Sequence, residues 1–284
     1  MKRRFVLFIV SCILMFSLTA CNAEDYKNAM AQYDSGAYEE ALKAFEALGD
    51  YENSSEMVKE CKYQIAVSFL KSLRYEDATE LFKSLGNYLD SAELASESQY
   101  RLAMQQFRMK RYEECVQLLS EIKEYKDAYA YVKGYELLQN LVGEYSCDVD
   151  EDWSYYSTYD IWLEEYSFKI TNELTKVEQT DSGDCVIYFK VYENKCEVRS
   201  NGVGANLVLP SPIEACVSFD ADTTKSEVIV FYMTEHSNIW SKITGFIYNV
   251  KPTSGSKYTL TFAPVGNNGS IIVGETQTFD CNKK

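Results

Sequence analysis

Three copies of one 37-residue pattern fill the first half of the chain and restrict its fold more than any other feature. The identities at this spacing are Tyr26/Tyr63/Tyr100, Ala29/Ala66/Ala103, Tyr38/Tyr75/Tyr112, Glu39/Glu76/Glu113 and Tyr51/Tyr88/Tyr125. Within each copy the apolar residues fall three or four positions apart, which is the period of an α-helix. A sequence period of this length indicates helical units stacked on one another.

The joints between copies read LGDYENSSE and LGNYLDSAE. Gly49 and Gly86 follow the last apolar residue, where a left-handed helix end favours glycine. Asn53 and Asp90 stand three residues before a glutamate, the spacing of a capping box at a helix start. These signals predict long helices over residues 54–72 and 91–109.

The third joint departs from the pattern and indicates the end of the array. Lys123 replaces the glycine, and Asp127 alone is left as a cap. A final helix over residues 127–141 is expected to cover the open apolar face of the array.

The copies resemble the tetratricopeptide repeat, whose marks are a small residue in the first helix (helix A) and Tyr, Ala and Phe along the second (helix B). Here these are Ala29, Tyr38, Ala41 and Phe45. The copies depart from the family in their longer period, in a tyrosine at the tryptophan-type position and in lacking a proline at the repeat end. The resemblance covers residues 24 to about 140 and implies a scaffold that binds a protein or peptide.

The same resemblance implies a concave face lined by helix A. The residues expected to contact a partner there are Lys27, Gln64, Lys71, Arg101, Gln105 and Arg108, with Ala31, Asp34 and Ser68 between them. A partly basic stripe on an acidic chain suits an acidic peptide or a partner's C-terminus. The alternative is an ordinary solvated helix face.

The N-terminus has the features of a bacterial export signal. Three basic residues precede an apolar run from Phe5 to Ala20, which is shorter than a membrane-spanning helix needs. The run ends in Leu-Thr-Ala-Cys, which resembles the lipobox of bacterial lipoproteins. The resemblance implies lipidation of Cys21 and a chain anchored to the cell membrane on its extracytoplasmic side. The alternative is an ordinary secretory signal or an uncleaved anchor.

The charge balance excludes some partners. The chain has a net charge of −15, and without the three basic residues of the leader 25 Lys and Arg remain against 43 Asp and Glu, a net of −18. Such a surface disfavours nucleic acid and anionic lipid headgroups.

From Leu141 onward, apolar and polar residues alternate along the chain instead of recurring at the helical period. Cys185, Ile187, Phe189 and Val191 fall on one apolar side, and short runs follow at 213–219, 226–233, 257–263 and 270–279, separated by turn sequences. The segment 238–248 is open to a short helix instead of a strand. The sequence thus predicts a multidomain chain, an all-α repeat array followed by an all-β domain that is a sandwich or a barrel. Its expected parts are a signal peptide (1–20), a lipidated tether (21–25), the repeats with a capping helix (26–140) and the β domain (141–284).

Seven cysteines remain beyond Cys21. With no C-x-x-C motif and His236 as the one histidine, the sequence predicts no zinc site. Cys185 is expected to be a buried thiol. Cys147 and Cys281 would form a disulfide if the first and last strands are neighbours.

Two stretches of the β domain suggest ligands. Residues 148–152, DVDED, lack the glycine and glutamate of an EF-hand loop and are expected to form a solvated acidic turn. A looser calcium site is the alternative. The aromatic stretch that follows could stack on sugar rings, and the residues proposed for this are Trp153, Tyr155, Tyr156 and Trp162. The alternative is a loop whose aromatic side chains are buried against the sheet.

Enzyme signatures are absent from the sequence: it has no G-x-S-x-G, Walker loop or H-E-x-x-H. We therefore expect a binding protein rather than an enzyme, without catalytic residues, cofactor or metal. A glycan-binding lipoprotein is the alternative, and a hydrolase using two carboxylates, which leave no short signature, is the third hypothesis.

Overall fold

The chain consists of two compact units, Met1–Gln105 and Gln106–Lys284. The computed structural model describes residues 22–283 except 153–161, 180–184, 201–202, 209–211, 220–228, 234–242, 255–256 and 267–276. The division between the units falls within a helix, whereas the change from helices to strands lies at residues 141–143.

Helix pairs build the first unit. The helices are α1 at residues 22–34, α2 at Tyr38–Leu48, α3 at Ser54–Lys71, α4 at Tyr75–Leu85 and α5 at Ser91–Arg108. Helix A of successive copies is α1, α3 and α5, and helix B of the first two copies is α2 and α4. The long helices predicted at 54–72 and 91–109 are confirmed to within one residue.

Small residues at fixed places let the paired helices approach. Ala29 and Ala41 are fully buried together with Phe45 in the first copy, and Cys61 from the next helix A completes the cluster. The second copy repeats this arrangement around Phe82. Burying one phenylalanine ring stabilises a fold by roughly 1.5–3 kcal/mol, so these clusters carry much of the stability of each copy.

The glycines at the joints have a backbone conformation that differs from the expected left-handed cap. Gly49 and Gly86 both have φ 58° and ψ −120°. The N–H of Tyr51 donates to the carbonyl oxygen of Leu48 at 3.1 Å, and the second joint repeats this bond. These angles and this bond are those of a type II′ turn, in which the first central position requires glycine.

The capping-box prediction is wrong at Asn53, and Asp127 does not cap its helix either. Both residues stand at the N-cap position, but neither side chain makes a capping hydrogen bond. Asn53 has φ −101° and ψ 17°, outside the extended region from which an N-cap side chain reaches the next turn. A backbone bond from the N–H of Ser54 to Tyr51 closes the joint instead, at 3.0 Å.

Where the structure describes it, the second unit combines helices with an antiparallel sheet. Its helices are α6 at Tyr112–Ser120 and α7 at Ala128–Leu141. Its strands are β1 Gly143–Asp152, β2 Trp162–Gln179, β3 Cys185–Ser200, β4 Val203–Val208, β5 Ile213–Phe219, β6 Ile229–Met233, β7 Ile243–Ser254, β8 Lys257–Gly266 and β9 Gln277–Lys283. Residues 243–248, which the sequence left open to a helix, therefore belong to a strand.

Neighbouring strands are mostly consecutive in the chain, as in a meander. The order is β2-β1-β9-β8-β7-β6-β5-β3-β4, and β2 also pairs with β3, so the sheet curls. The acidic residues 148–152 lie in β1, where the pairing with β2 shifts between Asp148 and Glu151. The turn expected there is wrong, because these residues continue an irregular strand.

One side of the sheet is buried as the alternation predicted. Cys185, Ile187, Phe189 and Val191 are fully buried, and Cys185 is a free thiol. Helix α7, expected to cover the open face of the repeats, packs against β2 and β3 as well as α6. Its apolar side is thus shared between helical and strand partners.

Polar contacts tie the helical part of this unit to its sheet. Lys110 Nζ donates to Glu173 Oε1 in β2 at 2.6 Å, and the hydroxyl of Tyr192 in β3 donates to the same carboxylate. These two bonds lower the pKa of Glu173, the lysine having the larger effect. At the end of α7, Lys283 Nζ donates to the carbonyl oxygen of Asn140 at 2.8 Å.

The first and last strands are neighbours, which is the condition stated above for a disulfide between Cys147 and Cys281. β1 and β9 pair with Cys147 directly opposite Cys281, and Cys147 is disulfide-bonded. The register thus places the two cysteines where a disulfide between them would join the start of the sheet to its end.

Candidate binding surface on the repeats

The residues expected on helix A lie on α1, α3 and α5. Those in the first unit form what we name the helix-A stripe: Lys27, Gln64, Lys71, Arg101 and Gln105. Lys27, Lys71 and Arg101 are exposed, whereas the two glutamines are partly buried. Arg108 is also exposed but belongs to the second unit.

Helical geometry directs the stripe away from helix B. Lys27, Gln64 and Arg101 each stand two residues before the fully buried alanine of their copy. Two residues correspond to about 200° around an α-helix. Because the alanine faces the helix pair, the stripe residue faces nearly the opposite way, as a ligand surface requires.

Carboxylates one turn earlier restrain two of the stripe residues. Gln64 Nε2 donates to Glu60 Oε1 at 2.9 Å, and Arg101 Nε donates to Glu97 Oε1 at 2.7 Å. The bond to Glu97 is the main reason that the pKa of Arg101 is raised. The first copy has alanine at this place, so Lys27 has no carboxylate one turn earlier.

Glu60 connects two copies through tyrosine hydroxyl groups. Tyr33 of the first copy donates to its Oε1 at 2.9 Å, and Tyr88 of the next joint donates to its Oε2 at 2.8 Å. Burial tends to raise the pKa of Glu60, but the bonds from Gln64, Tyr88 and Tyr33 outweigh it and lower the pKa. The carboxylate is therefore charged and fully engaged in holding the copies together.

The tyrosines beside it are fixed neutral donors. Burial, followed by the bond to Glu60, raises the pKa of Tyr33 to about 12. The bond from Tyr63 to Asp90, 2.7 Å long, has the largest part in raising the pKa of Tyr63 to about 12. The ring of Tyr88 lies edge-on to that of Tyr63, with 6.2 Å between centroids. The acidic and aromatic residues of the joint thus contact each other.

Sequence reasoning missed the part that Glu60 plays. The residues at the place of Tyr33 in the later copies are leucine and phenylalanine, so no repeated pattern marks the contact. Glu60 recurs as Glu97, and this recurrence is the signal that could have been noticed.

The other proposed site residues fall mainly outside the described residues. This holds for Cys21 and for Trp153, Tyr155 and Tyr156. Trp162 begins β2, opposite Asp152. The sugar-binding interpretation of this stretch therefore stays a prediction.

The residues that the structure describes offer neither a metal site nor a membrane-spanning helix. In the part of the chain that the structure describes, no three His, Cys, Asp or Glu side chains group as a metal site would require. No helix within these same residues has both the length and the apolar composition to cross a bilayer. Comparison with protein-family models, curated proteins and solved structures gave no match.

Proposed function

We propose that this chain is a bacterial lipoprotein, anchored by a lipid on Cys21, that binds a protein or peptide through tetratricopeptide-like repeats. The curled sheet offers a second interaction surface. We further propose that the pairing of β2 with β3 closes this sheet as a barrel rather than as a sandwich.

The observation that carries the binding proposal is the helix-A stripe. Its exposed residues Lys27, Lys71 and Arg101 are basic, on a chain whose net charge is −15. The nearby acidic residue Glu60 is held by two tyrosines and a glutamine, so it does not offer a free negative charge to a ligand. An acidic peptide in extended or helical form matches this combination of outward positive charge and rigid support.

Photo-crosslinking in intact cells tests this surface. A photoreactive phenylalanine at Ala31 on helix A is expected to give a discrete protein adduct, and the same group at Lys43 on helix B is not. Lys71→Glu with Arg101→Glu should remove the Ala31 adduct by reversing the charge of the stripe. Lys43→Glu with Lys83→Glu makes an equal charge change on helix B and should leave the adduct unchanged. Equal adducts from both double variants would exclude the stripe as the site.

The anchor has its own test. Replacing Cys21 with serine removes the thiol that the lipobox resemblance assigns to lipidation, so incorporation of a labelled fatty acid should be lost. The chain should then move from the membrane fraction to the soluble fraction, because no lipid holds it. Unchanged labelling in Cys21→Ser would contradict the lipoprotein assignment.

A further inference from the structure

Two of the turns that join helix A to helix B expose basic and apolar side chains together. We name them the basic turns: residues 71–74 (KSLR) in the second copy and residues 108–111 (RMKR) in the third, one in each unit. All eight residues are exposed, with Leu73 at 64% and Met109 at 54%. Five of the eight are basic, on a chain whose net charge is −15.

The backbone of the turn does not require these side chains. In all three copies the same two backbone hydrogen bonds close the turn. The residue with positive φ is Gly36 in the first copy and Leu73 and Lys110 in the others, with φ of 83°, 63° and 60°. This conformation suits glycine and strains a residue with a side chain. Because the first copy makes the turn with the sequence DSGA, the turn itself explains neither the leucine nor the basic residues.

Ion pairs hold two of the basic side chains without burying them. Arg74 Nε donates to Asp77 Oδ2 at 2.6 Å, and the guanidinium lies 4.0 Å from the centre of the Phe69 ring. Lys110 Nζ donates to Glu173 Oε1 at 2.6 Å. The side chains of the arginine and the lysine stay 54% and 66% exposed. Each basic turn therefore presents cations beside a protruding apolar side chain.

The surface of a bilayer matches this combination. Lysine and arginine are attracted to anionic headgroups, and an apolar side chain that protrudes between them can enter the boundary with the acyl chains. A fluid surface receives two turns without any fixed distance between them, whereas a groove on a partner protein requires one. The net charge of the chain disfavours anionic lipid over the surface as a whole, but the charge of these turns has the opposite sign.

We propose that the basic turns bind a membrane surface that contains anionic lipid, with Leu73 and Met109 entering the headgroup region. The proposal rests on the proposed lipid at Cys21 only for bringing this membrane within reach. Basic residues add to a lipid chain as a second attachment, which makes an anchor more stable. Lys71 belongs to the helix-A stripe as well, so the test leaves it unchanged.

Sedimentation with vesicles tests the proposal. The protein is the processed chain from residue 21 onward with Cys21→Ser, which includes every residue that the structure describes and has no lipid of its own. The vesicles are phosphatidylcholine with roughly 30% phosphatidylglycerol, or phosphatidylcholine alone. The protein should sediment with the anionic vesicles, less so in about 0.5 M salt, and not with the neutral ones.

Residues of the first copy provide the variant. Leu73→Gly, Arg74→Ala, Met109→Ser and Arg111→Ala together install the residues that the first copy has at these places, so the turn is retained. This change should weaken binding to the anionic vesicles by about tenfold or more. Leu73→Gly with Met109→Ser keeps every charge and should weaken it by roughly threefold or more. The melting temperature of each variant shows whether it is folded.

Leu89→Gly is the matched control. Leu89 is also 64% exposed with positive φ, but an aspartate follows it and it lies outside the basic turns. Its replacement should leave vesicle binding unchanged. The proposal is overturned if both kinds of vesicle bind equally, if the four-residue variant binds as the parent does, or if Leu89→Gly weakens binding as much. Sedimentation with neither vesicle would leave the turns to a protein partner and would equally overturn it.

This result is independent of the proposed function. The vesicles contain no partner protein and the protein in the assay has no lipid, so failure of the helix-A stripe or of lipidation at Cys21 would not change the outcome. Conversely, a protein that ignores anionic vesicles could still give the Ala31 adduct and incorporate a fatty acid.

Discussion

Individual tyrosines in the repeats work by pairing with a carboxylate rather than by forming an open ligand site. Tyr33 and Tyr88 share Glu60, and Tyr63 donates to Asp90. Each bond joins residues 27 or 28 positions apart, so each holds a helix A to the following copy or joint. The precision of the stacking therefore depends on polar contacts as well as on the alanine and phenylalanine core.

Replacing Glu60 with glutamine should destabilise the protein in a pH-dependent manner. The pKa of Glu60 in the folded protein lies below its ordinary value, about 4.3 in an unfolded chain. Its contribution is therefore complete above that value and is lost as the pH falls through the folded pKa. We expect Glu60→Gln to cost about 1–2 kcal/mol at pH 7 and progressively less below pH 4. Denaturant unfolding across this pH range, with the exposed Glu56→Gln as control, measures the difference in free energy of unfolding between parent and variant. A difference that does not change with pH would contradict the role of the Glu60 charge.

Leucines occupy two strained positions where glycine fits better. Leu73 and Leu89 have φ of 63° and 49°, and both are 64% exposed. A left-handed conformation costs a residue with a side chain roughly 1–2 kcal/mol. Glycine avoids this cost, but part of the benefit is lost because glycine gives up more backbone entropy on folding. Leu89→Gly should therefore raise the free energy of unfolding by about 0.5–1 kcal/mol, measured in denaturant. A fall in stability would show that the leucine side chain packs in a way that compensates for the strain.

At the scale of elements, the helix boundaries follow local signals but use different chemistry from the one expected. The joints end one helix with a type II′ turn at glycine and start the next with a second backbone turn. Asn53 stands where the capping box placed it without making the bond. The pattern therefore located the boundary correctly while its assumed mechanism was wrong, because two consecutive turns already fix the backbone there.

Replacing Gly86 with valine should lower stability through backbone strain alone. A Cβ at this position meets no atom within 4 Å, yet φ is 58° and ψ is −120°, a region that a β-branched residue strongly disfavours. We expect a loss of about 2 kcal/mol and a lower melting temperature. Asn87→Val introduces the same side chain at the next, exposed residue and serves as control. Equal melting temperatures for Gly86→Val and the parent protein would show that the turn does not require glycine at this position.

At the scale of the whole molecule, a disulfide at Cys147 constrains the second unit. Cys147 is disulfide-bonded and lies opposite Cys281 across the pairing of the first and last strands. Cross-links that close loops of 100 residues or more remove much entropy from the unfolded chain.

Cys147→Ser should therefore lower the stability of this unit by about 2–4 kcal/mol under oxidising conditions. A reductant should impose the same loss on the parent protein and none on the variant, which separates the bond from other effects of the substitution. Peptide mapping by mass spectrometry should identify Cys281 as the partner. A reductant that lowered the stability of the parent protein and of Cys147→Ser equally would contradict the role of the disulfide.

The sequence by itself determined the repeat period, the helix ends and the buried side of β3. These depend on interactions between residues near in the chain or on strict periodicity, which a single sequence displays directly. The predicted helix-A stripe also lies on the expected helices, because helical spacing alone decides which residues share a face.

Only the tertiary structure decided which strands are neighbours, what α7 packs against and which acceptor each tyrosine finds. The tyrosine contacts and the pairing of β1 with β9 join positions far apart in the chain that share no repeated spacing. Such features depend on three-dimensional packing, and local patterns carry no record of it.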